Sequence, residues 1–187
     1  MEEIINLDFS ELKPRKKNPD SLSEVLTNFG SFISVRKKRF LEWDRHLKPF
    51  LIQHLQRLNN QIKETLDCEV YHARHFKVFE YVRLDFKRKQ LGYTRSNGMT
   101  LDKHRGCLDY ILCHSGMVAV LYKEPHIQTL IEELGASQWL IDFIDPQSFS
   151  ETLVEGHVAT FLDRVLAWET SKSINATFVA QHDGPPD

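Results

Sequence analysis

The sequence has no apolar run long enough to cross a bilayer. Its longest, Met117 to Tyr122, covers six residues, where a helical span needs about 20. The opening MEEIINLDF lacks both the basic and the apolar stretch of a secretory leader. Cysteine is scarce and odd in number: Cys68, Cys107 and Cys113. With no export signal these read as reduced thiols, and the expected location is cytoplasmic, with no membrane partner. No glycine-rich phosphate loop and no internal repeat occurs. Glu132-Glu133-Leu134-Gly135-Ala136 is similar to the end of a Nudix box, but Gln128 and Thr129 stand where that box needs Arg-Glu. A helix closed by glycine accounts for those five residues without it.

What is present is apolar material for one core: 41% hydrophobic residues, including 12 Phe, in 187 residues. The net charge of −2 hides a division. Residues 124–187 hold 11 acidic and two basic groups, a balance of −9; residues 1–123 hold 22 basic and 15 acidic, a balance of +7. Either a basic face meets an anion, or the two halves neutralise each other across the fold.

The expected organisation is a flexible basic arm at 1–20, one domain at 21–171 and a loose tail at 172–187. Ser21 or Ser23 can cap a helix whose stripe is Phe29, Phe32, Ile33, Phe40, Trp43 and Leu47. Pro49 interrupts it and opens a second helix to Leu66. Alternation predicts strands at 68–73, 76–86 and 91–95. A helix follows at 100–114 and a buried strand at 117–122. A short helix at 125–134, a strand at 139–144 and a long helix at 149–170, capped by Ser148 and Glu151, complete the chain. The fold class is therefore α/β with an α+β N-terminal part: a helical arm, a short mixed sheet and a C-terminal βαβα unit. Strands 117–122 and 139–144 are predicted parallel and central, with Val118, Val120, Ile141 and Phe143 almost fully buried. Truncating Phe143 is then expected to cost about 3–5 kcal/mol. The arm's apolar stripe needs cover, from the rest of the domain or from a second copy, so a homo-oligomer is an expectation.

Four basic clusters mark an anion-binding reading: Lys13–Lys17 with Lys16 and Lys17, then Arg36-Lys37-Lys38-Arg39, Lys87-Arg88-Lys89, and Lys103–Arg105. The leading expectation is a non-enzymatic binding or adaptor protein that engages nucleic acid or an acidic protein surface. Asp85-Phe86-Lys87 has the Asp-x-Lys spacing of metal-dependent nucleases, and the expected element order resembles the core of the PD-(D/E)xK nuclease fold. That resemblance implies Mg2+ or Mn2+ held by Asp85 with Glu80 or Glu64, and Lys87 beside the attacking water. The family carries its (D/E)xK on the strand after its first acid, whereas LGYTR here has no acid. A third reading is a small-molecule transferase with a crevice at Lys123, Asp145 and Ser148, where parallel strands would end. Cys68, His72, His75, His104, Cys107, Cys113 and His114 form two clusters, but their spacings match no strong zinc pattern, so no metal site is assigned. His157, near the last helix's stripe, reads as a hydrogen-bonded core histidine.

Overall fold

The computed structural model describes residues 22–62, 67–75, 79–87, 89–94, 100–127 and 138–170. The basic arm, the tail, Glu64, Arg88 and most of the helix predicted at 125–134 lie outside the described residues. The chain divides into two units, 1–35 and 36–187.

The helical stripe near the N-terminus forms as α1 (Leu22–Glu42), a π-helical turn (Trp43–Leu47) and α2 (Lys48–Ile62). Pro49 does not break the helix. It has no N–H to donate, and in an α-helix its ring would strike the carbonyl of Arg45. The π turn widens the ladder just before it: the Lys48 N–H bonds back to the Trp43 carbonyl, five residues earlier.

Alternation is realised in β1 (Cys68–His75) and β2 (Phe79–Phe86). β3 (Lys89–Thr94), β4 (Thr100–His104) and β7 (His126–Ile127) form a three-stranded sheet. The main sheet has the order β1-β2-β5-β6-β8, with β5 at Cys107–Leu112, β6 at Val118–Lys123 and β8 at Gln138–Ile144. Every neighbouring pair in it is antiparallel.

Three sequence expectations are corrected here. Residues 100–114 are strands β4 and β5, not a helix. Leu108, Ile111 and Leu112 suit a helical period, but Leu108, Tyr110 and Leu112 also alternate, and a short apolar run does not separate the two. Gly106 settles it: its φ of +89° and the Lys123 carbonyl oxygen, 2.4 Å from where a Cβ would stand, turn the chain between two strands. The second correction is that β6 and β8 run antiparallel, Val118 opposite Ile144 and Lys123 opposite Gln138, so they are not the parallel arms of a βαβ unit. Third, His126 and Ile127, predicted helical, are strand. The fold is mixed α/β with an antiparallel main sheet.

Register fixes which side chains share a face. Val82, Leu84, Phe86, Leu108, Tyr110, Val118, Val120 and Tyr122 turn to one side. There they meet Trp43, Leu47, Leu51 and Leu55, together with Val154, Val158, Phe161 and Val165 of α3 (Glu151–Thr170). Phe161 is the centre, its ring 5.2 Å from Phe86 and 5.8 Å from Tyr122. The Ser150 hydroxyl, not Ser148, caps α3, accepting from the Leu153 N–H at 3.2 Å. Val118 and Val120 are fully buried and Ile141 is partly so, but Phe143 is 50% exposed. β8 is an edge strand, and among the described residues no helix covers its second face as a parallel arrangement would require.

Candidate functional site

β2 separates two groups of polar side chains. Glu80 lies on its helix-covered face and is 7% exposed. Trp43 Nε1 donates to its Oε2 at 3.1 Å, Lys48 Nζ donates to Oε1 at 2.9 Å, and His72 Nε2 lies 2.7 Å from Oε1. Arg74 adds a longer ion pair at 3.6 Å. Burial alone would raise this carboxyl, but the hydrogen bonds from Lys48 and His72 outweigh it and hold it at about 2. Trp43 opens the π turn and Lys48 follows it, so Glu80 fixes that turn to the sheet.

Asp85 lies on the opposite face of the same strand, five residues on. Burial raises its carboxyl, and the Tyr71 hydroxyl donates to it at 3.3 Å. Glu80 and Asp85 therefore cannot share a metal ion. Lys87 is exposed and pairs with Asp67 at 3.0 Å. The helix that the nuclease core order needs at 100–114 is absent. Asp85 and Glu80 thus do not form the carboxylate pair that the Asp-x-Lys spacing suggested for Mg2+ or Mn2+; the other expected companion, Glu64, lies outside the described residues. Among the described residues no group of three His, Cys, Asp or Glu is placed to hold a metal ion. Cys107 is buried and its thiol is raised by burial, with the Asp109 carboxylate adding to the effect; a reactive thiol needs the reverse.

The face of the main sheet turned away from the helices is organised in rows. One reads Tyr71, Arg83, Asp109, Leu121, Leu140 across the five strands, and the next Ala73, Tyr81, Ile111, Ala119, Phe143. Arg83 grips the buried Asp109 with two nitrogens, one of them Nη2 at 2.7 Å, and lies over the rings of Tyr71 and Tyr81. Burial works against the Arg83 charge, and the two Asp109 bonds more than compensate, so its pKa rises. The outer ends of these rows, Leu140 and Phe143, are exposed.

The predicted crevice does not form. With β6 and β8 antiparallel, Lys123 sits beside Gln138 at one end of the strands, while Asp145 and Ser148 follow β8 at the other, about 17 Å along the sheet. Asp145 instead accepts from Arg39 at 2.6 Å and from the Gln147 N–H at 3.1 Å. His157 is buried against Tyr110, with Nδ1 3.5 Å from the hydroxyl, and burial lowers its pKa.

Much of the charge division closes internally. Arg39 pairs with Asp145, Arg57 with Glu151 and Glu155, and Arg105 with Glu169, each joining the basic half to the acidic half. Among the described side chains, Arg36, Lys37, Lys38, Arg45, Lys123 and Arg164 enter no ion pair. Four of these six lie on the helical stretch 36–45. Arg36 also bonds the His114 ring at 3.3 Å. Lys38 and Arg45, seven residues apart on one face, line a shallow open hollow of about 220 Å³ with Leu41, Glu42, His46 and Gln147.

No protein-family model, curated protein or solved structure matches this chain.

Of the predicted anion-binding residues, the structure thus leaves Arg36, Lys37 and Lys38 without ion pairs and commits Arg39 and Lys87 to carboxylates. Lys16, Lys17, Arg88 and the Lys89 side chain lie outside the description. The sequence reading missed Arg45, which lines the same hollow as Lys38 once the helix forms. It also missed the Arg83–Asp109 clamp, whose partners are 26 residues apart. Among the described residues no helix is long and apolar enough to cross a membrane.

Proposed function

We propose that this chain is a non-catalytic binding module that holds the phosphate backbone of a nucleic acid along the helical stretch 36–45. The observation that carries the reading is the clustering of four cations without ion pairs on that stretch, after the other described cations of the basic half, Lys123 apart, have found carboxylates. A polyanion that runs along Lys38 and Arg45, with Lys37 at its edge, releases its own counterions as it binds, which is the main source of such affinity. The basic run Lys13–Lys17 lies close by in sequence and adds the composition of a nucleic-acid-binding arm. The sheet face turned away from the helices supports no such role: Glu69, Asp85 and Asp109 would oppose phosphate there.

Fluorescence anisotropy with short single-stranded and duplex probes at two salt concentrations tests this. The helix cations should contribute about 2–3 to the slope of log K against log salt. Lys38→Glu with Arg45→Glu should remove most of that slope without altering the thermal midpoint, since both side chains are at the surface. No binding by the wild type at low salt overturns the nucleic-acid reading and leaves an acidic protein surface as the partner.

A further inference from the structure

The segment 22–35 of α1 carries an apolar stripe that stays exposed, and among the described residues none covers it. Leu22 is 74% exposed, Leu26 61% and Phe29 60%, and no residue of α1 is buried. This helix does not stand on intrinsic propensity. Between 22 and 35 it contains Gly30, three serines, Thr27, Asn28 and three β-branched aliphatics, all weak helix formers. An isolated helix of this length is marginal in water even with good formers. A helix built from poor ones needs packing on its stripe.

We infer that the occupant is the same segment of a second copy of this chain, in a two-helix seam. The spacing points to it. Leu22, Leu26, Phe29 and Ile33 recur at four, three and four residues, the 3.5-residue period of a seam that stays on its partner as two helices supercoil. Val25 and Phe32 widen the stripe on one side. On the other, Gly30 has nothing within 4 Å of where its Cβ would be, so a facing side chain has room.

Charge allows self-association. Glu24 is the only charged residue from 22 to 35, and it stands opposite the seam, so two copies bring no like charges together. The Thr27 hydroxyl bonds its own helix at the Ser23 carbonyl, 2.9 Å away, and asks nothing of a partner. The area suffices as well: the exposed apolar side chains offer on the order of 600 Å² per copy, or roughly 1,200 Å² for the pair, at the lower edge of specific interfaces. A lipid surface fits less well, because the polar face of 22–35 has no Lys or Arg to meet headgroups. The inference rests on α1 alone and is independent of the anion-binding reading.

The test is the solution mass of the full chain by light scattering or sedimentation, from about 1 to about 100 µM. The mass should rise toward twice 21.9 kDa. The double variant Leu26→Glu with Phe29→Glu should remain at the monomer mass throughout, its self-dissociation constant raised about 100-fold or more. It should also lose far-ultraviolet helical signal, while thermal unfolding followed by tryptophan fluorescence is unchanged. A wild type that stays monomeric across the range, or a dimer that persists in the double variant, overturns the inference. Phosphatidylcholine vesicles with and without phosphatidylserine complete the set: a monomer that co-sediments with them through α1 replaces the second copy with a bilayer.

Discussion

Replacing Glu80 with glutamine removes one charge from the most heavily bonded carboxylate on the helix-covered face and leaves its shape. A carboxyl held at about 2 rather than near its ordinary 4.5 stabilises the fold. At 1.36 kcal/mol for each tenfold change in proton affinity this is roughly 3 kcal/mol, which solvent reaching Arg74 and His72 trims to about 2. The folded value is the depressed one. The contribution is therefore complete above pH 4.5, and it is lost as pH falls from there through about 2. Glutamine has no charge to lose, and its amide hydrogens turn toward donors on Lys48 or Trp43. At pH 7 Glu80→Gln should cost about 2–4 kcal/mol. Urea unfolding followed by tryptophan fluorescence, repeated from pH 7 to pH 2.5, reads both quantities. The gap between wild type and variant should be largest at neutral pH and narrow steadily below pH 4.5. A gap that does not change with pH, or one under about 0.5 kcal/mol at pH 7, would refute the assignment of Glu80 as the charged centre of this cluster.

Gly116→Ala should destabilise by about 2–3 kcal/mol in thermal or urea unfolding, because the residue has a φ of +81° and a Cβ would stand 2.7 Å from that of Arg39. Phe161→Ala should cost about 3–5 kcal/mol and Phe143→Ala less than about 1, a contrast that chemical denaturation measures directly and that reverses the sequence expectation for Phe143. Asp109→Ala leaves the Arg83 guanidinium without its carboxylate and should cost about 3–5 kcal/mol, whereas Arg83→Met with Asp109→Leu should recover most of it; equal losses in both variants would mean that packing, not charge, dominates there.

Helices and strands were legible where one period was sustained. The stripe from Phe40 to Leu55 and the alternation from Val82 to Phe86 are long enough for their faces to be read directly. Residues 107–112 were not, because six residues admit both periods. Strand direction was not legible either. Trp139 to Ile144 is apolar on both sides of its pleat, which suggested a central parallel strand, yet a register shift between β6 and β8 at Ile141 moves Leu140 and Phe143 to the face turned away from the helices. The placement of the carboxylates was readable and was missed: Glu80 and Asp85 are an odd number of residues apart on one strand, so they face opposite ways. Glu80 was also the single interruption in an otherwise apolar alternation, the usual trace of a polar group that has found buried partners. The charge division was visible, but its destination was not. Arg39, Arg57 and Arg105 meet acids 94, 98, 106 or 64 positions away only after folding.

The two halves of β2 connect stability to the proposed site. Pro49 forces the ladder to widen, and the π turn that results carries Trp43 inward and places Lys48 at its end. Both donate to Glu80, so the start of α2 is fixed to the sheet by charge as well as by apolar contact. Arg45 lies within that turn. An uninterrupted α-helix would keep Lys38 and Arg45 within about 20° of each other but would bring the proline ring onto a carbonyl. The π turn removes that collision, and the cations still line one hollow. The proposed anion-binding strip thus sits beside a turn that the buried Glu80 holds to the sheet through Trp43 and Lys48.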